Sequence, residues 1–329
     1  MRASNDAVGL HGVEGFRPLP GGSEHGHPIR RELADQRVKR PLDPAHPRGK
    51  VVRDQQRPRD LHGRLSSQTV DADRLEDQVD ALDERRGFVD GARLRAVEVT
   101  GSDAGRWLND LVTASVEDIP RGGTARSLLL TPTGRVRADF HIVRTDGAIL
   151  LVQEPDQPIA IDDLLRPYVL SSDVAMQRVP GAQVVLVPSD RGWTVTRATG
   201  DRAVEASPEA GEVWRIRRGV PRFPTDLDEE SLPAEAGLEY LIDFTKGCFL
   251  GQEAVAKVRN LGHPPRVVLA LRAAVPVRTG EPVVADGRDV GAVSSAAPPR
   301  DGFALLARVR WDARTHPLTT ASGAQLTPA

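Results

Sequence analysis

Lys246-Gly247-Cys248-Phe249-Leu250-Gly251-Gln252-Glu253 is the stretch on which the reading of this chain turns. Two glycines bracket the only cysteine of a 329-residue sequence, and a short helix is expected over 252–258. Gly247 and Gly251 can take positive φ and let another segment or a ligand approach the backbone closely. With Gly251 as N-cap, Glu253 falls in the first turn, where its charge suits the helix dipole, four residues before Lys257. Cys248 then sits beside a helix N-terminus and two residues from the Lys246 ammonium, and both favour the thiolate. A lone cysteine is more often a small buried hydrophobe, so Cys248 is a candidate reactive thiol set against that commoner role.

Outward from the octapeptide the texture changes on each side. Beyond residue 264, short strands are expected at 267–271, 282–285, 290–294 and 304–309, joined by turns rich in Gly, Pro and Asp, which predicts a small all-β barrel or sandwich. Upstream, strands are expected at 94–99, 127–130, 136–143 and 148–152. Thr131-Pro132-Thr133-Gly134 turns the second into the third, giving an antiparallel meander. Ser102 or Asp103 caps a helix carrying Trp107, Leu108, Leu111 and Val112. A further helix is expected from 157 up to Pro167, and short strands at 174–179, 184–187 and 194–198. The class is α+β. Order is expected to begin near Asp73, where Leu75, Val79 and Leu82 share a helical face closed by Gly87. The first 72 residues hold five of the eight histidines, repeated Pro and Gly and few apolar groups. That segment is expected to be a disordered tail, or the product of an over-long start.

Charge is nearly balanced, with 44 Lys+Arg against 46 Asp+Glu, which argues against a nucleic-acid footprint over the whole surface. One cysteine excludes an internal disulfide framework and any self-contained cysteine-based zinc or iron–sulfur site, so no metal ligands are assigned. No apolar run approaches the ~18 residues of a membrane span, and no secretory leader pattern is seen. The expected setting is cytoplasmic, with neither membrane nor direct nucleic-acid contact.

The octapeptide with its flanks resembles the hallmark of the YgfZ-type folate-binding proteins of the aminomethyltransferase (glycine cleavage T-protein) superfamily. The flanks are Trp214-Arg215-Ile216 with Gly219 and Pro221, Leu232-Pro233-Ala234-Glu235-Ala236-Gly237, Val258-Arg259-Asn260-Leu261-Gly262 and Gly291-Ala292-Val293-Ser294-Ser295. Gly134-Arg135-Val136-Arg137-Ala138-Asp139-Phe140 fits the same pattern, and the likeness runs from about Asp80 to the C-terminus. The resemblance implies a folate-binding, aminomethyltransferase-like body over 73–263, a β-barrel over 264–329, and tetrahydrofolate or a derivative in a central channel. It also implies an accessory protein, non-enzymatic or weakly catalytic, that supports iron–sulfur cluster assembly or maintenance and, indirectly, tRNA methylthiolation. Its partners would be folate and iron–sulfur client proteins, with any cluster shared or transient because one thiolate cannot house it. The alternative is a folate-dependent aminomethyltransferase of the glycine cleavage type.

A pterin offers an amino group and ring N–H donors that a carboxylate accepts in pairs. Asp139 is the first candidate for this, with Glu239 and Asp243 behind it. Arg266 and Lys246 are candidates for the anionic glutamate tail, and Trp107, Trp214 or Phe249 for stacking on the ring. Two departures weigh against aminomethyl transfer. The superfamily's Arg-Leu-Glu-x-Gly reads here Arg215-Ile216-Arg217-Arg218-Gly219, so Arg217 stands where a pterin-anchoring carboxylate is expected. Its adjacent acid pair reads Ala138-Asp139, leaving Asp139 alone to assist departure of an amine.

Overall fold

A computed structural model of the protein describes residues 62–197 and 200–329; residues 1–61, most of the expected tail, lie outside it. The first helix, α1 (His62–Asp83), begins before Asp73. Residues 71–74 are all exposed, so this part of α1 carries no apolar face that a sequence reading could find. Gly87 opens a strand, β1 (Gly87–Asp90), instead of closing the helix. A Cβ there would lie 3.0 Å from the Leu82 nitrogen, so any larger residue would crowd the end of α1 where the chain doubles back.

Five antiparallel strands form the main sheet: β2 (Arg95–Thr100), β3 (Thr124–Leu130), β4 (Val136–Arg144), β5 (Ile149–Gln153) and β6 (Ala175–Arg178), in the order β3-β4-β5-β2-β6. The expected meander is present, with one irregularity: the β3–β4 register shifts by one residue between Leu129 and Leu130. A second sheet runs β8-β7-β1-β9, from β7 (Val185–Ser189), β8 (Gly192–Thr196) and β9 (Val204–Ala206). One apolar core fills the space between the sheets and under α1 and α4 (Pro208–Arg217), with Val89, Leu94, Val143, Leu186, Val195 and Trp214. Trp193 packs on Trp214 there, ring centres 4.4 Å apart and planes tilted by 48°. A second core covers the other face of the main sheet beneath α2 (Ala104–Asn109) and α3 (Ile161–Leu165), with Leu108, Phe140, Leu151 and Ile161.

Asp103 does stand at the N-cap of α2, but its carboxylate accepts from the Asp173 N–H at 2.8 Å and caps no helix group. The helix expected from 157 shrinks to α3 and a 3-10 turn, Arg166–Tyr168. The Gln157 amide is occupied by the backbone of Asp139, and the helix begins only at Ile161, after the extended residue Ala160.

After two 3-10 turns, Pro233–Ala236 and Leu238–Leu241, the octapeptide leads into α5 (Gln252–Leu261). Six strands then close a barrel in the order β10-β13-β12-β11-β14-β15: β10 (Arg266–Ala273), β11 (Pro282–Ala285), β12 (Arg288–Ala296), β13 (Phe303–Arg310), β14 (Leu318–Thr320) and β15 (Gln325–Pro328). The last two are too short to show alternation in the sequence. Val283, Val293, Leu305 and Val309 fill the barrel.

The seam between barrel and body is ionic. Arg215, 1 % exposed, donates to Asp226 at 2.8 Å, to Ser295 Oγ at 2.9 Å and to the Val220 carbonyl at 3.1 Å. Ser294 and Ser295 of β12 donate in turn to Asp226. Arg308 of β13 joins Glu235 at 2.8 Å and Asp228 at 2.6 Å. No helix among the described residues is long and apolar enough to cross a membrane.

Candidate functional site

Asp139 lies on β4, on the face turned toward the second sheet, and lines a small cavity with Arg126, His141, Trp193, Gln157 and Phe223. Two glutamines set its backbone. Beyond the end of β5 the Gln157 side chain continues the ladder: its amide accepts from the Asp139 N–H at 3.1 Å and donates to the Asp139 carbonyl at 2.6 Å. Gln153 donates to Gln157 at 3.0 Å and so fixes that amide. The carboxylate meets Arg126 across the β3–β4 diagonal, through Nε at 2.8 Å and through Nη2. Both side chains are nearly buried, 11 % and 8 % exposed. Burial works against the Arg126 charge, but the adjoining carboxylate more than offsets this and raises its pKa above the usual value.

This donor set fits a pterin chemically. A nearly buried carboxylate presents two oxygens to a flat, paired donor, with the Trp193 indole and Phe223 as apolar walls. The space does not admit one as it stands. About 40 Å³ is free, room for a few waters and not for a bicyclic ring, because the Arg126 guanidinium holds the position facing Asp139.

Asp139 is not the only acid in the cavity, as the sequence suggested. Glu154 lines it too, just beyond the wholly buried strand β5, 3.3 Å from Arg93. Burial raises its pKa above the normal carboxylate value. The polar pair Gln153-Glu154, closing the apolar run Ile149-Leu150-Leu151-Val152, was the signal available for it.

His141 stands opposite Arg126 in the ladder and hydrogen-bonds the Trp193 carbonyl at 3.0 Å. Burial, with the Arg126 charge beside it, pushes its pKa down to about 4. An unfolded histidine takes up its proton near pH 6.5. Between that pH and about 4 the unfolded chain binds the extra proton, so stability present above pH 6.5 drains away as pH falls. The loss attributable to His141 reaches about 3 kcal/mol. Urea titrations at pH 7 and pH 4.5 will show His141→Gln losing less stability than the parent between the two.

The octapeptide is placed differently from Asp139. Gly251 caps α5 with φ 83°, and a Cβ on it would lie 2.5 Å from the Thr131 carbonyl oxygen. Gly134, φ 78°, faces it across the same junction, so the two glycines let the start of α5 rest on the turn between β3 and β4. Gly247 has open space around it and no positive φ. Glu253 occupies the first turn, as expected. Phe249 is buried among Leu128, Leu130, Val136 and Leu241, in a core of its own. Cys248 is exposed, with a free thiol.

Lys246 is not available as an anion clamp. Its ammonium donates to the carbonyls of Asn109, Val112 and Ala114 at 2.5, 2.5 and 2.8 Å, and stands 5.2 Å from the Phe249 ring centre. It ties the octapeptide to the end of α2, where orphan carbonyls need donors. Asp243 closes a local turn onto Thr245 and the Lys246 N–H. Glu239 is exposed on the wall of an outer cleft of about 790 Å³, shared with Tyr240, Asp243 and Arg126. Arg266 is exposed on the barrel, in another cleft with Arg308 and Asp228. Neither it nor Lys246 lines the Asp139 cavity.

Arg217 does not face the pterin position. It pairs with Glu76 of α1 through two 2.7 Å contacts, and that hydrogen bond lowers the Glu76 pKa. Arg215, two residues earlier, lines the cavity instead. Trp214 is core, and Trp107 pins the Tyr168 carbonyl at 2.8 Å.

Residues 52–179 match the GCVT N-terminal domain. The chain is 23 % identical over 285 residues to a putative chloroplastic transferase of Arabidopsis thaliana, covering 70 % of this chain and 66 % of that protein. It is 28 % identical over 130 residues to the human mitochondrial iron–sulfur cluster assembly factor IBA57, covering 36 % and 35 %. It is likewise 28 % identical over 135 residues to the tRNA-modifying protein YgfZ of Colwellia psychrerythraea, covering 40 % of each. The chain thus spans about two thirds of the first of these relatives and well under half of the others. Among solved structures, the aminomethyltransferase T of the Bartonella henselae glycine cleavage system superposes with a TM-score of 0.62 at 16 % identity, over 73 % of this chain and 83 % of that one. The fold is therefore that of the glycine cleavage aminomethyltransferase, an α+β body with a closed six-stranded C-terminal barrel, and residues 52–179 are similar in sequence to the GCVT N-terminal domain.

Proposed function

We propose that this chain binds a reduced folate at Asp139 and serves as an accessory to iron–sulfur proteins, offering Cys248 to a client. The observation that carries the reading is the coupling of two features through one hairpin. β3 and β4 hold Arg126 and Asp139, and the turn joining them is the seat on which Gly251 sets the Cys248 segment. Folate, when bound, would supply a one-carbon carrier and a rigid filling for the cavity. The chain's own part is to accept the pterin donor edge on Asp139, to hold that carboxylate through Gln157 and Gln153, and to exclude water with Trp193 and Phe223. Similarity to an iron–sulfur assembly factor and to a tRNA-modifying protein supports the accessory role and its indirect link to tRNA methylthiolation.

Aminomethyl transfer is the second reading, and one observation favours it. Glu154, whose pKa burial raises above the ordinary carboxylate value, places a second carboxyl group in the cavity beside Asp139, a group able to give or take a proton there. Glycine-cleavage turnover with a lipoyl-carrier substrate, lost in Glu154→Gln, would replace the accessory reading.

The test is calorimetric titration with tetrahydrofolate. Micromolar binding is expected, weakened at least tenfold (about 1.4 kcal/mol) in Asp139→Asn. Absence of binding to the parent chain would sink the folate reading. In cells lacking the protein, Cys248→Ala is expected to leave iron–sulfur enzyme activities unrestored; full restoration would remove the thiol from the proposal.

A further inference from the structure

Among the described residues, Arg126 is the one side chain that lines both the inner cavity and the outer cleft. Its Nε and Nη2 meet the two oxygens of Asp139, one donor to each oxygen, in the planar two-bond arrangement that a guanidinium and a carboxylate share. Its Nη2 also reaches the Pro221 carbonyl at 3.4 Å. The pterin of a folate has a cyclic guanidine as its recognition edge: an exocyclic amino group and a ring N–H, side by side on one carbon. Arg126 therefore presents to Asp139 the same kind of paired N–H donors that a pterin would present, on the same two acceptors.

We propose that Arg126 is a built-in surrogate ligand, occupying the guanidine-accepting site of Asp139 and leaving it for the outer cleft when a cyclic guanidine enters. This rests on the folate reading above and extends it to how entry is controlled. The geometry supplies both ends of the movement. At the inner end, the 40 Å³ left free is too small for the ring while Arg126 stays. At the outer end, a cleft of about 790 Å³ already touches Arg126 and carries the Glu239 and Asp243 carboxylates and the Tyr240 ring, acceptors for a displaced guanidinium. The exchange keeps Asp139 paired at every stage, so no buried carboxylate is left alone. Ligand affinity is then set by a competition between an external guanidine and an internal one.

Full-length protein, Arg126→Gln, and Arg126→Gln/Asp139→Asn are to be titrated with tetrahydrofolate by calorimetry, and their melting temperatures followed with 10–20 mM methylguanidinium, an amount on the order of a weak ligand's Kd. Arg126→Gln is expected to bind tetrahydrofolate at least tenfold more tightly than the parent, and the double variant to lose that gain. Methylguanidinium is expected to raise the melting temperature of Arg126→Gln and to leave the parent and the double variant unmoved. Folate binding by the parent that stays equal or weakens in Arg126→Gln, without methylguanidinium rescue, overturns the surrogate and leaves the folate reading standing. Rescue by methylguanidinium with no folate binding in any form supports the surrogate and overturns the folate reading. Should Arg126→Gln fail to fold, Arg126→Lys keeps the charge but cannot offer two coplanar donors; it is expected to bind folate more tightly than the parent, and unchanged binding overturns the proposal.

Discussion

Arg215→Met will lower the unfolding free energy by about 3–5 kcal/mol, the cost of stranding one member of a buried ion pair. The side chain is 1 % exposed and Asp226 is wholly buried, so losing the guanidinium leaves a buried carboxylate with only hydroxyl and backbone donors. Urea unfolding followed by circular dichroism measures the effect, and Arg217→Met is its control. Arg217 is 15 % exposed and pairs with Glu76, which is 30 % exposed, where water can replace the lost partner. A change of about 1 kcal/mol or less is expected there. Equal losses in the two variants would show that the Arg215–Asp226 pair does not hold the barrel to the body.

Gly251→Val will destabilise the protein by about 4 kcal/mol, combining the left-handed backbone penalty of a side chain with overpacking against a carbonyl. The contact is with backbone, the Thr131 oxygen, so no side chain can rotate away to relieve it. Gly247→Ala, in open space and at ordinary φ, will change stability by less than about 0.5 kcal/mol. The same denaturant series decides both, and a tolerated Gly251→Val would mean that α5 does not need its close seat on the hairpin.

The contrast between these two glycines shows how far the sequence could be read. Spacing alone treated Gly247 and Gly251 alike. It found the helix behind them because capping and charge act within four residues of chain. Which glycine touches a distant turn depends on a tertiary contact that spacing does not encode. The meander and the first four barrel strands were legible for the same local reason, as alternation bounded by turn residues. Strands β14 and β15 were too short to alternate, and α4 was hidden because its Glu-, Arg- and Gly-containing run has no clear apolar stripe.

Arg126 escaped notice for a subtler cause. Counting from the pair beside the turn, Leu130 opposite Val136, puts Phe140 opposite Arg126 and Asp139 on the other face of the sheet. The register shift at Leu129/Leu130 moves the pairing by one, setting His141 opposite Arg126 and Asp139 on the neighbouring diagonal. A one-residue slip exchanges the two faces of a strand. The site's central ion pair thus hangs on a bulge that has no signature in residue types. Arg217 drew attention by its place in a motif, but α4 turns it outward to α1 and brings Arg215 inward.

The indole pair beside the cavity gives the site a voice of its own. Trp193 lines the cavity and Trp214 stands directly behind it, 4.4 Å away and tilted by 48°. Two strong ultraviolet transition dipoles at that distance and angle mix into an exciton pair, whose signed couplet depends on how the rings are held. The protein therefore carries a native chromophore in the wall of the cavity that Asp139 lines, readable without any dye or tag.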